Sequence, residues 1–183
     1  MFLATCWGNS TIDLRGDSIN DFIKLIKNRR SVREYTNKPI EKRILEEIVD
    51  CGRLAPSARN IQPWVFLVVT EKEKLERISE QMEYGRFIKN AAACIVICGD
   101  RKAKRYVEDC CIASENIMLS AKSLGIGSCY VAALGKDVKG VRELLRVPEN
   151  FEIICFISLG YFEKNPEPHE KKQMKDVIRW ESF

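Results

Sequence analysis

Histidine is nearly absent from this sequence, and its scarcity limits the chemistry that the side chains can perform. His169 is the only histidine among 183 residues, and no serine or cysteine stands in a convincing pair with a base. The eight cysteines include no Cys-x-x-Cys pair, so a tetrahedral zinc site would have to gather thiolates from scattered elements. We therefore expect no metal site and no catalytic nucleophile, and we interpret the cysteines as buried, reduced thiols.

Long apolar runs are absent as well. No stretch approaches the ~20 residues that a helix needs to cross a bilayer. Residues 1–7 are apolar, but they lack the basic beginning of a secretory leader. These absences predict no contact with a membrane and a cytoplasmic location.

Charge is spread along the chain rather than concentrated in one part. The net charge is +4, and basic residues alternate with acidic ones. A nucleic-acid-binding surface needs clustered cations, and residues 29–33 are the cluster that stands out. Gly125 and Gly127 follow a predicted helix, whereas the dinucleotide-binding fingerprint follows a strand. The sequence therefore predicts no nucleic-acid partner and no Rossmann-type site.

Length and composition predict one compact domain. A chain of 183 residues, 45% apolar and 31% charged, is typical of a single globular core. Residues 1–17 show no periodicity and are interpreted as an N-terminal extension whose order the sequence leaves open, with residues 18–183 as one domain. Predicted helices and strands alternate, which favours a sheet covered on both faces. The first helix starts near residue 17 or 18, the other predicted helices cover 41–53, 71–81, 107–124 and 138–145, and the predicted strands cover 64–70, 92–98, 128–132 and 152–159.

Two segments stand out against this ordinary background. Residues 29–33, the arginine segment, have the sequence Arg-Arg-Ser-Val-Arg, and residues 56–64, the polar segment, have the sequence Pro-Ser-Ala-Arg-Asn-Ile-Gln-Pro-Trp. The planar guanidinium fork suits phosphate, although arginines after a helix also complement the negative end of its dipole. Asn60 and Gln62 can bond an amide-like edge, and Pro56 and Pro63 fix the backbone around them. The polar segment is equally typical of a helix stop, a turn and a strand start.

These segments, taken in order with residues 115–125 and 159–161, resemble the nitroreductase family of flavin-dependent NAD(P)H oxidoreductases. The resemblance extends from about residue 21 to residue 180. It implies an α+β fold with a mixed, largely antiparallel central sheet flanked by helices. It also implies a domain-swapped homodimer, in which the C-terminal tail reaches the partner subunit and two identical FMN sites lie at the interface.

The resemblance further implies how the arginine segment would hold FMN. Arg29, Ser31 and Arg33 would contact the phosphate, the ribityl chain and the pyrimidine edge, with Arg30 close by. A cation at the pyrimidine edge tunes the electronics of the flavin, which gives Arg33 a special interest.

The remaining implied contacts come from three other parts of the chain. Pro56 and Ser57 would line the site from the other subunit, Asn60 would bond the isoalloxazine ring, and Gln62 would support the segment more than it binds. Backbone amides would come from Ala132 and Ala133, at the end of the third predicted strand, where relatives commonly have glycine or an acidic residue. In the tail Lys171 is the best further candidate for the phosphate and Lys172 the second, with a solvated tail as the alternative.

The implied activity places little demand on side chains. NAD(P)H would reduce FMN and leave, and a nitroaromatic, quinone or similar small electrophile would follow, so the chemistry would belong to the cofactor. Two alternatives stay open. One is a flavin-binding redox sensor or electron-transfer protein that uses exposed cysteines such as Cys110 or Cys111. The other is a dehalogenating or flavin-destroying relative, although residues 82–90 leave little room for the lid that such relatives carry.

Overall fold

The computed structural model describes residues 21–133 and 137–183, in which two helices come first and strands and helices then alternate. The helices are α1 (Asp21–Asn28), α2 (Lys42–Arg53), α3 (Lys72–Glu80), α4 (Tyr106–Ser123), α5 (Asp137–Leu145) and α6 (Met174–Val177). The strands are β1 (Trp64–Val69), β2 (Ala93–Asp100), β3 (Gly127–Ala132) and β4 (Phe151–Gly160). The predicted elements that fall in the described ranges are confirmed to within two residues at each end. The predicted extension and the predicted start of the first helix lie outside the described residues.

The four strands form one antiparallel sheet in the order β1-β2-β4-β3. This confirms the predicted α+β class with its largely antiparallel sheet. Strands β1 and β3 are therefore the two edges of the sheet. Within the described ranges no helix is both long and apolar enough to cross a membrane.

Alternate residues of the strands face two separate apolar clusters, one on each face of the sheet. On one face Ile95, Ile97 and Ile157 pack with residues of α2 and α4, and on the other Val96 and Phe156 pack with residues of α3 and α5. All five of these side chains are buried. The side-chain period of two in a strand sends neighbouring residues to opposite faces of the sheet. Helices pack on both faces, which confirms the predicted sheet covered on both faces.

Helix α4 ends where glycine allows it to end. Gly125 has a φ of 74°, a left-handed conformation that costs glycine little. The N–H of Ile126 then donates to the carbonyl oxygen of Ala121 over 2.9 Å, which satisfies one of the last helical carbonyls. The chain turns directly into β3 after this stop, and β3 forms one side of the site described below.

Candidate functional site

The arginine segment lies along the open edge of β3. The N–H of Val32 donates to the carbonyl oxygen of Ser128 over 2.9 Å, and Ser31 forms a parallel bridge with the same residue. Gly127 permits this approach, since a Cβ there would lie 2.8 Å from the Cβ of Val32 and 2.7 Å from Cδ1 of Phe162. A side chain at position 127 would therefore push the arginine segment away from the sheet.

Tyr35 fastens the end of the arginine segment to the sheet. Its hydroxyl donates to the carbonyl oxygen of Val32 over 2.6 Å and lies 2.6 Å from Oγ of Ser158, a buried residue of β4. Burial raises the pKa of Tyr35 far above its ordinary value of 10.0, although the bond with Ser158 works in the other direction. The phenol therefore stays protonated and keeps donating at any ordinary pH.

The three arginines have different surroundings. Arg30 turns back to its own helix, where Nη1 donates to the carbonyl oxygens of Lys27 and Arg29 over 2.8 and 2.9 Å. This matches the alternative reading of an arginine that complements a helix C-terminus. Arg29 makes a loose ion pair with Glu115, with Nε and Oε1 3.5 Å apart. These contacts leave Arg29 better placed than Arg30 to meet an anion.

Arg33 is exposed and points toward the turn before β2. Its guanidinium carbon lies 5.8 Å from the centre of the Phe87 ring, and Nη1 is 3.5 Å from the carbonyl oxygen of Ser31. Both contacts are weak by distance. The guanidinium of Arg33 therefore keeps most of its donors for another partner.

The polar segment has an unusual backbone. Arg59, Asn60 and Gln62 have φ values of 54°, 57° and 54°, in the left-handed region that residues with a Cβ rarely adopt. The hydroxyl of Ser57 supports this conformation, because its Oγ accepts the N–H of Gln62 over 2.9 Å. Such backbone strain persists where surrounding contacts enforce it, and it clusters at functional sites. The side-chain amide of Gln62 donates to the carbonyl oxygen of Asn60 over 3.3 Å, a contact inside the segment.

Asp109 anchors the polar segment, and sequence reasoning missed it. Both carboxylate oxygens lie near the N–H of Ala58, at 3.1 and 3.3 Å, and the residue is only 4% exposed. Because a buried carboxylate is costly unless it accepts hydrogen bonds, this contact fixes the start of the segment against α4. The signal available in the sequence was an acidic residue in the first turn of a helix, a pattern too common to single out.

The two segments lie beside opposite edges of the sheet. The arginine segment borders β3, the polar segment leads into β1, and β4 and β2 lie between these strands. Three interstrand spacings amount to roughly 14 Å. Among the described residues no hydrogen bond or ion pair joins the two segments. One chain by itself therefore does not bring the two predicted halves of the site into contact.

The predicted backbone donors at the end of β3 differ from each other. The N–H of Ala133 donates to the carbonyl oxygen of Ile154 over 3.1 Å. Because neighbouring residues of an antiparallel strand point their N–H groups to opposite sides, the N–H of Ala132 points away from β4, toward the open edge. Ala132 therefore offers an amide at the open edge of β3, four residues along the strand from the bridge between Ser31 and Ser128, whereas the amide of Ala133 has a partner in the sheet.

The tail lysines and the cysteines complete the predicted groups. Lys171 and Lys172 are exposed, in a tail that has no buried residue after Gly160. The seven cysteines in the described ranges are all free, and five of them are buried. The expectation that Cys110 is exposed is wrong: it is buried, and burial raises its pKa to about 12. Cys111 is exposed as expected. The described residues contain no cluster of three or more side chains suited to a metal ion.

A second basic cluster was also missed. Residues 101–105, the basic loop between β2 and α4, have the sequence Arg-Lys-Ala-Lys-Arg. Its cations were overlooked because acidic residues flank the loop on both sides in the sequence. In the structure this loop lies against the polar segment, and a pocket lined by Arg59, Lys104 and Arg105 separates the two.

Known proteins resemble this chain in both sequence and fold. The sequence model of the nitroreductase family matches residues 26–84 and 79–161. A provisionally named NADH dehydrogenase/NAD(P)H nitroreductase of Archaeoglobus fulgidus is 41% identical over 150 residues, which cover 78% of this chain and 86% of the relative. An FMN-dependent nitroreductase of Clostridium difficile has a similar structure, with a TM-score of 0.83, 34% identity and coverage of 88% of this chain and 99% of that one. The structure of a provisionally named NADH dehydrogenase/NAD(P)H nitroreductase of Bacteroides thetaiotaomicron gives a TM-score of 0.86, 31% identity and coverage of 91% and 100%.

Proposed function

The chain belongs to the nitroreductase family, and on that premise we propose that it is an FMN-dependent oxidoreductase. It takes reducing equivalents from NAD(P)H and passes them to nitroaromatics, quinones or similar small electrophiles. Bound FMN supplies the acceptor for the nicotinamide hydride and the donor of electrons to the second substrate. The side chains of this protein bind and orient the cofactor and the substrates, and they keep water out of the site. This agrees with a sequence that has one histidine and no nucleophile paired with a base.

One observation carries this proposal: the two segments that would hold the cofactor lie at opposite edges of one sheet. Specific contacts hold each segment in position: Gly127 and Tyr35 hold the arginine segment, and Ser57 and Asp109 hold the polar segment. Two half-sites that do not meet in one chain are complete only when two copies combine. A homodimer with two identical sites follows, since a two-fold axis repeats each contact.

The groups at the β3 edge fit the chemistry of FMN. Arg29, Ser31 and Arg33 offer charged and neutral donors to a phosphate, a polyol chain and a pyrimidine edge. The N–H of Ala132 points to the same open edge and suits a polar atom of the ring. Arg30 donates to backbone carbonyls at the end of α1, so it supports the segment more than it contacts the phosphate.

The second copy contributes the polar segment in this proposal. Pro56 and Ser57 line the site, Asn60 bonds the ring through its side-chain amide, and Gln62 supports the strained turn. The left-handed backbone at residues 59–62 places these groups by fixed geometry, so that little conformational freedom is lost when the cofactor binds.

The C-terminal tail also takes part in the proposed dimer. Trp180 is 81% exposed, and the open edge of β1 presents Val65 and Val68, which are 40% and 42% exposed. A groove of about 570 Å³ lies between α2 and this edge, lined by Leu45, Val49 and Val68 among others. Stable proteins usually cover an open strand edge and its exposed apolar side chains. We therefore assign the tail of the partner subunit to the groove between α2 and β1. Lys171 and Lys172 then lie on the crossing tail, where we propose that they meet the FMN phosphate.

Mixed dimers test this arrangement. Arg33→Ala removes a group from one half-site, and Asn60→Gly removes an amide from the other while keeping a residue that accepts a positive φ. Each variant alone should lose FMN from both sites. Chains with different affinity tags are co-expressed, and the mixed dimer is purified and its FMN measured by absorbance. If each site takes its halves from two chains, one site of the mixed dimer carries both defects and the other carries none.

We therefore expect the mixed dimer to retain FMN in about half of its sites and to show NAD(P)H-dependent reduction of a nitroaromatic or quinone in proportion. A mixed dimer as empty as its two parents would place both segments in the same site of one chain and refute the arrangement. A colourless wild-type protein that takes up no added FMN would refute the proposed function itself. Arg77→Ala is the matched control, because it removes an exposed arginine of α3, a helix whose buried residues pack on the other face of the sheet and which contributes no residue to the groove along β1.

A further inference from the structure

The basic loop concentrates positive charge at one end of α4. Residues 101–105 contain four cations in five positions. Two of them are paired with acids: Arg101 lies 3.2 Å from Glu152, and Arg105 lies 2.8 Å from Glu108. Lys102 and Lys104 are exposed, and neither makes an ion pair within the described part of the chain.

Lys104 lines a pocket of about 280 Å³ together with the polar segment. The lining also contains Arg59, one of the residues held at positive φ, and its other charged members are Arg105 and Asp109. Arg59 also makes no ion pair among the described residues. Asp109 accepts the N–H of Ala58, a neutral donor, so its carboxylate can still offset one of the cations. Because Arg105 is paired with Glu108, Arg59 and Lys104 are the two cations of the lining that have no ion pair among the described residues, and they lie beside one carboxylate.

Helix α4 adds to the positive potential of the pocket. Arg105 is the residue before its first turn, and the helix is 18 residues long. Its N-terminal end carries a positive partial charge of about half an elementary charge, which Glu108 and Asp109 in the first turn offset in part. Guanidinium groups, an ammonium group and a helix N-terminus at one pocket together favour an anion with several oxygens, as a phosphate monoester has.

We propose that this pocket binds the 2′-phosphate of NADPH, which makes NADPH rather than NADH the preferred reductant. The inference rests on the proposed function, because it takes the polar segment to border the FMN of the partner subunit. The FMN phosphate itself is assigned to the arginine segment at the other edge of the sheet. A pocket of this size is small for a whole dinucleotide, which fits a site that holds one phosphate-bearing end while the nicotinamide reaches the flavin.

The surrounding charges favour this ligand over a nucleic acid. Glu108 and Glu152 interrupt the basic loop, so that its cations form a pocket and not a stripe that a nucleic-acid backbone could follow. A single phosphate monoester matches Arg59 and Lys104, the two cations of the pocket without an ion pair among the described residues, with Arg105 as a third cation that is shared with Glu108. NADH differs from NADPH only by the absence of this group, so the two reductants isolate its contribution.

The test compares two lysines of the same loop in the full-length, FMN-loaded protein. Lys104→Glu reverses a charge inside the pocket. Lys102→Glu makes the same change of net charge, but Lys102 lines a neighbouring groove with Gln62 and Trp64 and not this pocket. Lys104→Ala serves as a milder second variant. The kcat/KM values for NADPH and NADH are measured for each protein, and the affinities for 2′,5′-ADP and 5′-AMP are measured by calorimetry.

The wild type should prefer NADPH and should bind 2′,5′-ADP more tightly than 5′-AMP. Lys104→Glu should lower kcat/KM for NADPH and the affinity for 2′,5′-ADP by roughly tenfold or more, the usual loss for a charge-assisted contact. It should leave kcat/KM for NADH within about twofold. Lys102→Glu should have a much smaller effect on NADPH, and FMN content should be equal in all of these proteins.

Three outcomes would overturn the inference. A wild type that uses both nicotinamides equally would remove the 2′-phosphate site. Equal losses for Lys104→Glu and Lys102→Glu would show a diffuse field and not a pocket. An equal loss with NADPH and NADH would show that Lys104 does not recognise the 2′-phosphate. In each of these cases a protein that still binds FMN and oxidises a nicotinamide leaves the proposed function standing, whereas a protein without FMN would refute both.

Discussion

Removing the hydroxyl of Tyr35 should loosen the arginine segment from the sheet. The hydroxyl has one proton, and the geometry assigns it to the carbonyl oxygen of Val32, 2.6 Å away, with the hydroxyl of Ser158 donating in return. Tyr35→Phe keeps the ring and removes only the oxygen. The Val32 carbonyl then loses its donor inside the protein, because Val32 is buried and water has little access to it.

The magnitude follows from what each partner can do afterwards. Ser158 has an alternative, since its hydroxyl lies 3.4 Å from the carbonyl oxygen of Cys129 and can turn toward it. The Val32 carbonyl accepts no second hydrogen bond among the described residues, so the cost is that of one buried acceptor without a donor, about 1–3 kcal/mol. For a chain of this size a loss of 1 kcal/mol lowers Tm by roughly 2–4 °C.

Urea unfolding followed by circular dichroism measures the change in the free energy of unfolding. Ser158→Ala and the double variant complete a mutant cycle, whose coupling term should be clearly positive because the two hydroxyls share one bond. Tyr84→Phe is the control, since Tyr84 is 70% exposed and the hydroxyl that it loses bonds the side chain of Glu83 at the surface, where such a bond contributes little to stability. If the free energy of unfolding of Tyr35→Phe lies within about 0.3 kcal/mol of the wild-type value, the assigned role of Tyr35 is refuted, because so small a difference lies within the usual error of such measurements. We also expect weaker FMN binding in this variant, because the arginines lose their fixed position when the arginine segment loosens from the sheet.

Two further predictions concern charge. Arg29→Ala should weaken FMN binding by roughly tenfold or more, because it removes a charge-assisted bond to the phosphate. Glu115→Gln frees Arg29 from its ion pair, so FMN binding should stay equal or become tighter. Fluorescence titration with FMN measures both affinities, and an unchanged affinity for Arg29→Ala would contradict the assignment. Burial raises the pKa of Cys94 to about 12 and of Cys98 to about 11, against an ordinary 9.0. The native state therefore keeps protons that the unfolded chain loses above pH 9, so each thiol should lower stability by about 1.4 kcal/mol per pH unit from there up to its native pKa. Urea unfolding in reducing buffer should show a shallower decline for Cys94→Ala and for Cys98→Ala, and identical slopes would argue against burial as the cause.

The sequence was sufficient for the elements because local signals determine them. Helix α2 was predicted at 41–53 and found at Lys42–Arg53, between the prolines at 39 and 56. Helix α4 was predicted to stop before Gly125, and that residue indeed adopts the left-handed conformation. Periodicity and stop signals act over a few residues, so their consequences are visible without knowledge of the rest of the chain.

Contacts between distant parts of the chain were beyond such signals. The bond from Ala58 to Asp109 spans 51 positions, and nothing near either residue announces it. The positive φ values at Arg59, Asn60 and Gln62 were also hidden, because glycine is the usual marker of that conformation and none is present. Strand order, which separates the two segments, likewise depends on pairing between strands far apart in sequence.

Helix α4 connects the two half-sites that each chain contributes. Near its start Asp109 holds the polar segment, and two turns later Glu115 meets Arg29 of the arginine segment. In the proposed dimer these segments serve different FMN molecules, so the same helix borders both sites. Anything that binds only the assembled state stabilises that state by mass action. FMN binding and dimer assembly are therefore linked, and a defect at either of these two contacts of α4 acts on the cofactor affinity of both sites through the dimer that they share.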